Sequence, residues 1–255
     1  MSDTDPDHQV DAETQPLLAH LAELRARLLR AVLAVLIVFF PLFYVANDLY
    51  TWVARPLRAV LPEGSTMIAT EVASPFLTPF KLALVSAFFL AIPYVLHQIW
   101  GFVSPGLYRH EKRLAIPLLA SSVVLFYAGM AFAYYAVFPL VFAFLTSAGP
   151  EDVAIATDIN AYLSFVLKLF FAFGFAFEIP IATLLLVWSG AADVESLKAK
   201  RAYVVVGCFV AAMLLTPPDV ISQLLLALPM WLLYEVGILF ARFVRKRQQE
   251  EDGEG

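Results

Sequence analysis

The kind of fold that this chain can adopt is indicated most clearly by residues 162–188, YLSFVLKLFFAFGFAFEIPIATLLLVW. Its only charged residues are Lys168 and Glu178, and a helix that spans a bilayer needs about 20 predominantly apolar residues. Polar and apolar residues do not alternate along it, as they would over the strands of about 10 residues in a membrane barrel. The stretch therefore predicts a transmembrane helix.

The composition extends this prediction to the whole chain. Of the 255 residues, 61% are hydrophobic and 15% are charged, against about 45–50% and about 25% in a soluble domain. A soluble enzyme, a disordered chain and a disulfide-stapled secreted domain are excluded, the last because Cys208 is the single cysteine. We predict an all-α membrane protein, a bundle of six transmembrane helices at 31–46, 82–99, 114–145, 162–188, 202–215 and 220–240.

Charge divides the chain into a membrane domain and two tails. Residues 1–16 are acidic, without lysine, arginine or an apolar stretch, so they predict a mobile tail and no cleaved signal peptide. Residues 17–241 are expected to form a single membrane domain. Residues 242–255 are basic and then acidic, and predict a second tail.

The distribution of lysine and arginine predicts the orientation. Thirteen of the 17 basic residues lie before span 1, in the loops after spans 2 and 4, or after span 6, whereas residues 146–161 contain acids and no base. By the positive-inside rule, both termini are expected in the cytoplasm.

Two segments outside the spans have patterns of their own. The connection 48–79 contains four prolines and Trp52, and we expect short helices that cap the outer face of the bundle. Residues 15–28 place leucines on one helical stripe, which predicts an amphipathic helix that leads along the inner surface into span 1.

Spans 5 and 6 are expected to be short. Residues 202–215 would cover about 21 Å of a hydrocarbon core of about 30 Å, which predicts either local thinning of the bilayer or shelter by longer neighbouring helices. Pro217 and Pro218 predict a turn on the outer face, with Asp219 as the N-cap of span 6. Gln223 and Glu235 interrupt span 6, although Gln223 at headgroup depth is the alternative interpretation.

Glu178 is energetically unfavourable at membrane depth, because insertion of an ionisable side chain there costs a free energy of at least about 2.5–3.5 kcal/mol. One interpretation is a protonated carboxyl group with a hydrogen bond inside the bundle. The other is a docking point for a polar group on another membrane helix. Pro180, two residues further on, predicts a kink.

Glu23 and Glu111 are acids among bases on the predicted inner face. Position alone favours local ion pairs, such as Glu23 with Arg27 at i,i+4 spacing. The alternative is that the two carboxylates receive guanidinium groups from a ligand by bidentate hydrogen bonds.

Signals for catalysis, metals and cofactors are absent from the sequence. It has no HExxH, GxSxG or GxxxxGK[ST] motif, and its four histidines do not form a ligand cluster. We expect no enzyme, no metal, no cofactor and no nucleic-acid partner, so that work would draw on an ion gradient or on partners.

Several stretches together resemble the TatC family, the polytopic receptors of the twin-arginine protein translocase. They are HLAELRARL at 20–28, ANDLY at 46–50, GSTMIATEVASPF at 64–76, FVSPGLYRHEKR at 102–113, LFYAGMAFAYY at 125–135, FEIPIATLLL at 177–186 and MLLTPPDVISQ at 213–223. They cover nearly the whole chain apart from its tails.

This resemblance implies a function for the acids. It implies that Glu23 and Glu111 hold the paired arginines of a signal peptide, with Arg25, Phe102 and Arg113 on the same surface. It further implies that contacts with the single-span partners TatA and TatB involve a second set of residues: Glu178, Gln223, Met213 and Thr216.

The resemblance thus predicts the core receptor of a translocase in the bacterial inner membrane, which exports folded proteins with the proton-motive force and self-associates in a larger complex. The alternative is a proton-coupled secondary transporter of small molecules with Glu178 as the coupling group. Such transporters usually contain inverted repeats, whereas the two halves of this chain differ in their span and loop lengths. An intramembrane protease lacks a plausible catalytic pair.

Overall fold

The computed structural model describes residues 6–59, 67–103, 115–147, 156–216 and 220–253, and side chains within 21–59, 67–102, 116–147, 156–216 and 220–243. Its α-helices are α1 (Pro6–Tyr44), α2 (Ala46–Val53), α3 (Arg55–Arg58), α4 (Ser74–Val103), α5 (Ala115–Phe132), α6 (Phe138–Ser147), α7 (Ile159–Ala176), α8 (Ile179–Trp188), α9 (Val194–Ala199), α10 (Arg201–Leu215) and α11 (Val220–Gly253). A π-helical turn, Ala133–Val137, joins α5 to α6.

Five helical segments are long and apolar enough to cross a membrane: Leu21–Tyr44, Ser74–Phe102, Ile116–Ser147, Ile159–Trp188 and Val220–Phe243. The shorter Arg201–Leu215 is a sixth apolar helix. Among the described residues the only β contact is an isolated bridge between Ile68 and Asp158. The predicted all-α fold with six apolar helices is confirmed, and so is the shortness of span 5.

Span 6 is longer than the sequence predicted, which corrects the expectation of two short spans. Its apolar part counts 24 residues, and α11 passes through Gln223 and Glu235 without interruption. The physical reason is that α10 supplies partners for both polar side chains. Gln223 Nε2 donates to the carbonyl oxygen of Phe209 at 3.0 Å, and Glu235 accepts from Arg201 at 2.5 Å.

The predicted kink in span 4 lies between α7 and α8. Helix α7 ends at Ala176 and α8 begins at Ile179, with Pro180 in its first turn. Proline has no N–H to donate and its ring excludes the preceding turn, so the ladder of α7 cannot continue through it. Glu178 lies at this break.

The first and last helices extend into the predicted tails. Helix α1 begins at Pro6 and continues to Tyr44, so the amphipathic segment 15–28 and span 1 form one continuous helix. Helix α11 continues to Gly253. The short helix α9, between spans 4 and 5, has no counterpart in the sequence prediction.

The end of the bundle that carries α2 and α3 is here called the cap end. Tyrosine hydroxyl groups of the longer helices donate there to backbone carbonyl groups of α2. Tyr162 donates to the carbonyl oxygen of Val53 at 2.9 Å, and Tyr134 donates to that of Trp52 at 3.1 Å. The rings of Trp52 and Tyr134 also stack, with centroids 4.5 Å apart. The short capping helices expected from the sequence are therefore present and held onto the bundle.

Asp158 ties the extended segment before α4 to the start of α7. Its carboxylate accepts from the backbone N–H and hydroxyl of Thr70, at 3.0 and 2.8 Å, and from the N–H groups of Asn160 and Ala161. Hydrogen bonds from Ala161 and Thr70 hold the pKa of this exposed carboxyl group down at about 2. Asp158 is therefore both the N-cap of α7 and a cross-link within the cap end.

Helix α1 stands apart from the main core. The core is formed by α2 and α3, α4, the α5–α6 pair, α7 and the α10–α11 hairpin, with Phe126, Phe138 and Phe173 fully buried. Helix α1 packs along α4 through rings such as Phe39 and Phe80, whose centroids are 5.3 Å apart. Its residues 21–44 leave most of their apolar surface outside the bundle, as expected of a helix that faces lipid.

Candidate functional site

Glu23 lies on α1 at the end of the bundle opposite the cap end, here called the termini end, which also carries α9. Its Oε1 atom accepts two hydrogen bonds from Arg27, from Nε at 2.9 Å and from Nη2 at 2.6 Å. The side chain of Glu23 is 40% exposed. The predicted i,i+4 pair is confirmed, and it shows that a guanidinium group fits this carboxylate.

The Glu23–Arg27 pair leans against the end of α4. A Cβ atom placed on Gly101 would come within 2.2 Å of Arg27 Nη1, so the guanidinium group occupies the space that a side chain would need. Phe102 follows directly and is half-buried. The structure thus brings Arg27 of α1 and Gly101 of α4, distant in sequence, into contact, and the shared surface of Glu23 and Phe102 stays a prediction.

Nothing in the sequence signals the contact between Arg27 and Gly101, because only the packing of α1 on α4 creates it. Arg25 is exposed on α1. Glu111 and Arg113 lie outside the described residues, and their roles stay predictions.

Two further ion pairs lie at the termini end. Arg201 at the start of α10 donates to Glu235 of α11, and Lys198 donates to Glu195 on α9 at 2.7 Å. The Lys198 ammonium lowers the pKa of the Glu195 carboxyl group through its hydrogen bond and its charge. This end therefore combines exposed acids with bases that already hold them.

Glu178 occupies a different place, inside the bundle at the α7–α8 break. Its carboxyl group faces the hydroxyl group of the buried Ser122 on α5. Its Oε1 atom is buried and has no hydrogen-bond partner among the described residues. The geometry leaves one oxygen able to accept a further donor.

The other predicted partner-binding residues lie on the α10–α11 hairpin. Met213 is 54% exposed. Thr216 is buried and donates to the carbonyl oxygen of Ala212 at 2.8 Å, while Gln223 bonds to α10 as described above. Met213 is thus the residue of this set with a free apolar surface.

The structure does not bring Glu178 together with the hairpin residues. Pro180, next to Glu178, packs against Gly237 of α11. Gln223 lies 14 residues before Gly237 on the same helix, or about 21 Å along its axis. Pro217, Pro218 and Asp219, the predicted turn, lie outside the described residues. In the part of the chain that the structure describes, no group of three or more histidine, cysteine and acidic side chains is placed to hold a metal ion.

The chain is similar to known proteins along most of its length. Residues 19–229 match the family model for TatC, the Sec-independent protein translocase protein. The Sec-independent protein translocase protein TatC of Azotobacter chroococcum mcd 1 is 62% identical over 98% of this chain and 97% of its own length. That of Escherichia coli K12 is 56% identical over 94% and 93%.

A solved structure agrees with the fold. The crystal structure of a twin-arginine translocase receptor, TatC, superposes with a TM-score of 0.80 at 39% identity, covering 88% of this chain and 98% of that one. At this identity the likeness extends beyond fold class to the arrangement of the helices.

Proposed function

This chain belongs to the TatC family of Sec-independent protein translocase proteins, and from that premise we propose that it is the subunit that binds twin-arginine signal peptides. It is a multi-pass membrane protein and a component of a protein translocase, not an enzyme. The proposal adds the ligand, the residues that hold it and the partners.

One observation supports peptide binding more than any other: the partly exposed Glu23 carboxylate that already holds the Arg27 guanidinium group. A planar guanidinium group donates several N–H bonds in a fixed fork, which suits a carboxylate better than a lysine ammonium does. An exposed i,i+4 ion pair is worth only about 0.2–0.5 kcal/mol. An arginine of a ligand can therefore displace Arg27 at small cost.

The second arginine of the ligand is assigned to Glu111, with Arg25, Phe102 and Arg113 on the same surface. The half-buried Phe102 follows Gly101, the residue that Arg27 contacts, and is assigned an apolar contact with the peptide. A peptide with two adjacent arginines then gains two charge-assisted hydrogen-bonded contacts, each worth about 1.5–3 kcal/mol.

Peptide binding to the purified full-length protein tests this assignment. Glu23→Gln keeps the shape of the side chain and removes its charge, and we expect it to weaken binding of an Arg-Arg peptide about tenfold or more. A Lys-Lys peptide should bind the parent protein more weakly than the Arg-Arg peptide. Fluorescence anisotropy of labelled peptides measures both effects.

Glu195→Gln is the matched control. Glu195 is another exposed acid at the termini end that is paired with a base, but it lies on α9 and outside the proposed site. Its loss should leave peptide affinity unchanged. Equal binding by the parent protein and a Glu23→Gln, Glu111→Gln double variant would refute the assignment.

We propose contacts with the single-span proteins TatA and TatB at Glu178 and at the hairpin residues Gln223, Met213 and Thr216. The support is the unpartnered, buried Oε1 atom of Glu178 and the exposed Met213 side chain. Interhelical hydrogen bonds in membranes are worth about 0.6–2 kcal/mol. Glu178→Ala should therefore weaken crosslinking to a partner helix without loss of peptide binding, and an unchanged crosslinking pattern would assign Glu178 to internal packing.

We propose that the protein is located in the bacterial inner membrane with both termini in the cytoplasm. The proton-motive force is the proposed energy source. The support is the excess of basic residues within the part of α1 that precedes span 1, after α4, around α9 and toward the end of α11. Labelling of single cysteines placed in residues 1–5 and 148–155 from either side of the membrane tests it. Family membership favours this function over the alternative of a small-molecule transporter.

A further inference from the structure

Two lysines of the membrane-spanning helices share one surface. Lys81 on α4 donates from Nζ to the Ser164 hydroxyl oxygen of α7 at 2.7 Å. Lys168 lies one turn further along α7 than Ser164, and residues four apart are neighbours on the same helix face. Lys168 is exposed on the outside of the bundle.

Ring contacts fix the register of α4 against α7 around this site. Seven residues beyond Lys81 and Ser164, the rings of Phe88 and Phe171 meet with centroids 5.5 Å apart. Helices α4 and α7 therefore run side by side in the same direction. Lys168 lies between the Lys81–Ser164 bond and this aromatic contact, and the exposed Leu84 of α4 is at the same level.

Both lysines belong to segments long and apolar enough to cross a membrane, Lys81 to Ser74–Phe102 and Lys168 to Ile159–Trp188. Lys168 is nine residues into α7, about 14 Å along its axis, in a hydrocarbon core of about 30 Å. The Lys81 ammonium group is held by the Ser164 hydroxyl group, which itself donates to the carbonyl oxygen of Asn160. Charged groups at such depth normally face protein or water and have a partner.

The described residues offer no counter-charge at the site. None of the ion pairs among the described side chains includes Lys81 or Lys168. On the same span, Asp158 is committed to Thr70 and to the first turn of α7. Glu178 lies ten residues beyond Lys168, about 15 Å along the axis, and faces Ser122 on α5.

We propose that Lys81 and Lys168 form a cationic site within the membrane that binds the carboxylate of a membrane-spanning partner helix. A carboxylate between the two ammonium groups relieves their mutual repulsion and neutralises charge where water is scarce. The phosphate of a lipid headgroup stays outside the hydrocarbon core, whereas a side chain in the middle of a helix reaches this depth. The site is distinct from Glu178 and from the α10–α11 hairpin.

A synthetic helix of leucine and alanine with one central glutamate is the probe, and the same helix with glutamine is its matched control. The full-length protein is reconstituted in phosphatidylcholine vesicles, and association is followed by energy transfer between dyes on the protein and the probe. We expect the glutamate helix to associate at least tenfold more tightly than the glutamine helix. Lys168→Leu should abolish this preference, and Lys200→Leu, on an exposed residue beside α9, should not.

A charge exchange completes the test. Lys168→Glu should prefer a probe with a central lysine. Equal association of the glutamate and glutamine helices with the parent protein would overturn the proposal, and so would failure of the exchanged pair to associate. Contact of Lys168 with labelled phosphatidylglycerol, without a preference for the glutamate helix, would also overturn it and identify a lipid site. Unchanged thermal unfolding of Lys168→Leu checks that the variant is folded.

Discussion

At the cap end, Tyr162 and Tyr134 donate their hydroxyl protons to backbone carbonyl groups of α2, whereas at the termini end Glu23 of α1 is held by the side chain of Arg27. All three ion pairs among the described side chains lie at the termini end. A backbone carbonyl oxygen that accepts a hydrogen bond from a buried tyrosine hydroxyl group cannot readily exchange this donor for a donor of a ligand. A partly exposed carboxylate, in contrast, can exchange one guanidinium group for another. The two ends therefore differ in whether a ligand can replace a hydrogen-bond donor of the protein.

The same contrast appears in how the short helices are attached. Helices α2 and α3 at the cap end contribute Val53, Ala54 and Leu57 to the main core. Helix α9 at the termini end packs Val194 and Leu197 into a separate, smaller cluster with α11, tied by the hydrogen bond from Tyr234 to the carbonyl oxygen of Leu197. We infer that the cap end is the rigid reference and that the signal peptide binds at the other end.

Tyr162→Phe should give the largest effect on stability. The change removes a buried hydrogen bond and leaves the carbonyl oxygen of Val53 without it, which costs about 1–3 kcal/mol. Thermal unfolding in detergent, followed by near-UV circular dichroism, should show a clearly lower midpoint, while peptide binding at the termini end stays intact. An unchanged midpoint would mean that the cap end is not locked by this bond.

Asp158 gives the cap end a dependence on acid. Because the pKa of this carboxyl group is about 2 in the folded protein and about 3.9 in an unfolded chain, its stabilising effect is complete above about pH 4. It is lost as the pH falls through about 2. Asp158→Ala should lower the unfolding midpoint at pH 7 and flatten its decline between pH 4 and pH 2, relative to the parent protein.

Thr70→Val serves as the partner variant for that measurement. It removes the hydroxyl donor to Asp158 and keeps the backbone N–H donor. Its effect should be smaller than that of Asp158→Ala and should vanish in the Asp158→Ala background. Additive losses would show that the two residues do not act as one tie.

Glu235→Gln should cost less than either change at the cap end. Its pair with Arg201 is partly exposed, with side-chain exposures of 25% and 47%, and such pairs are worth about 0–1 kcal/mol. We expect a small decrease in the unfolding midpoint that shrinks further in high salt. A decrease as large as that of Tyr162→Phe would remove the distinction between the two ends.

Arg27→Gln should have the smallest effect, and on binding instead of stability. Loss of the internal guanidinium group frees Glu23 from a pair worth about 0.2–0.5 kcal/mol, so an Arg-Arg peptide should bind about twofold more tightly. Titration of the labelled peptide measures it. Weaker binding would show that Arg27 positions Glu23 for the ligand and does not compete with it.

The fold class, the approximate position of each span and the family could all be predicted from the amino-acid sequence. Runs of apolar residues such as 162–188 are too long for soluble helices and do not alternate as strands do, so hydrophobicity alone identifies them. The kink at Pro180 and the short helices of the 48–79 connection also followed from local chemistry, because proline acts through its own ring and missing N–H. The ion pair of Glu23 with Arg27 followed from helical spacing.

The length of span 6, the surroundings of Arg27 and the site formed by the two lysines could not be predicted in this way, because they depend on how the helices pack. Gln223 and Glu235 look like interruptions in a sequence, but α10 supplies a carbonyl oxygen and a guanidinium group to them, and the helix continues. Arg27 rests on Gly101 and Lys81 reaches Ser164 through contacts between helices distant in sequence. The cost of a polar group in a membrane depends on the partner it finds, and that partner is fixed by how the helices pack.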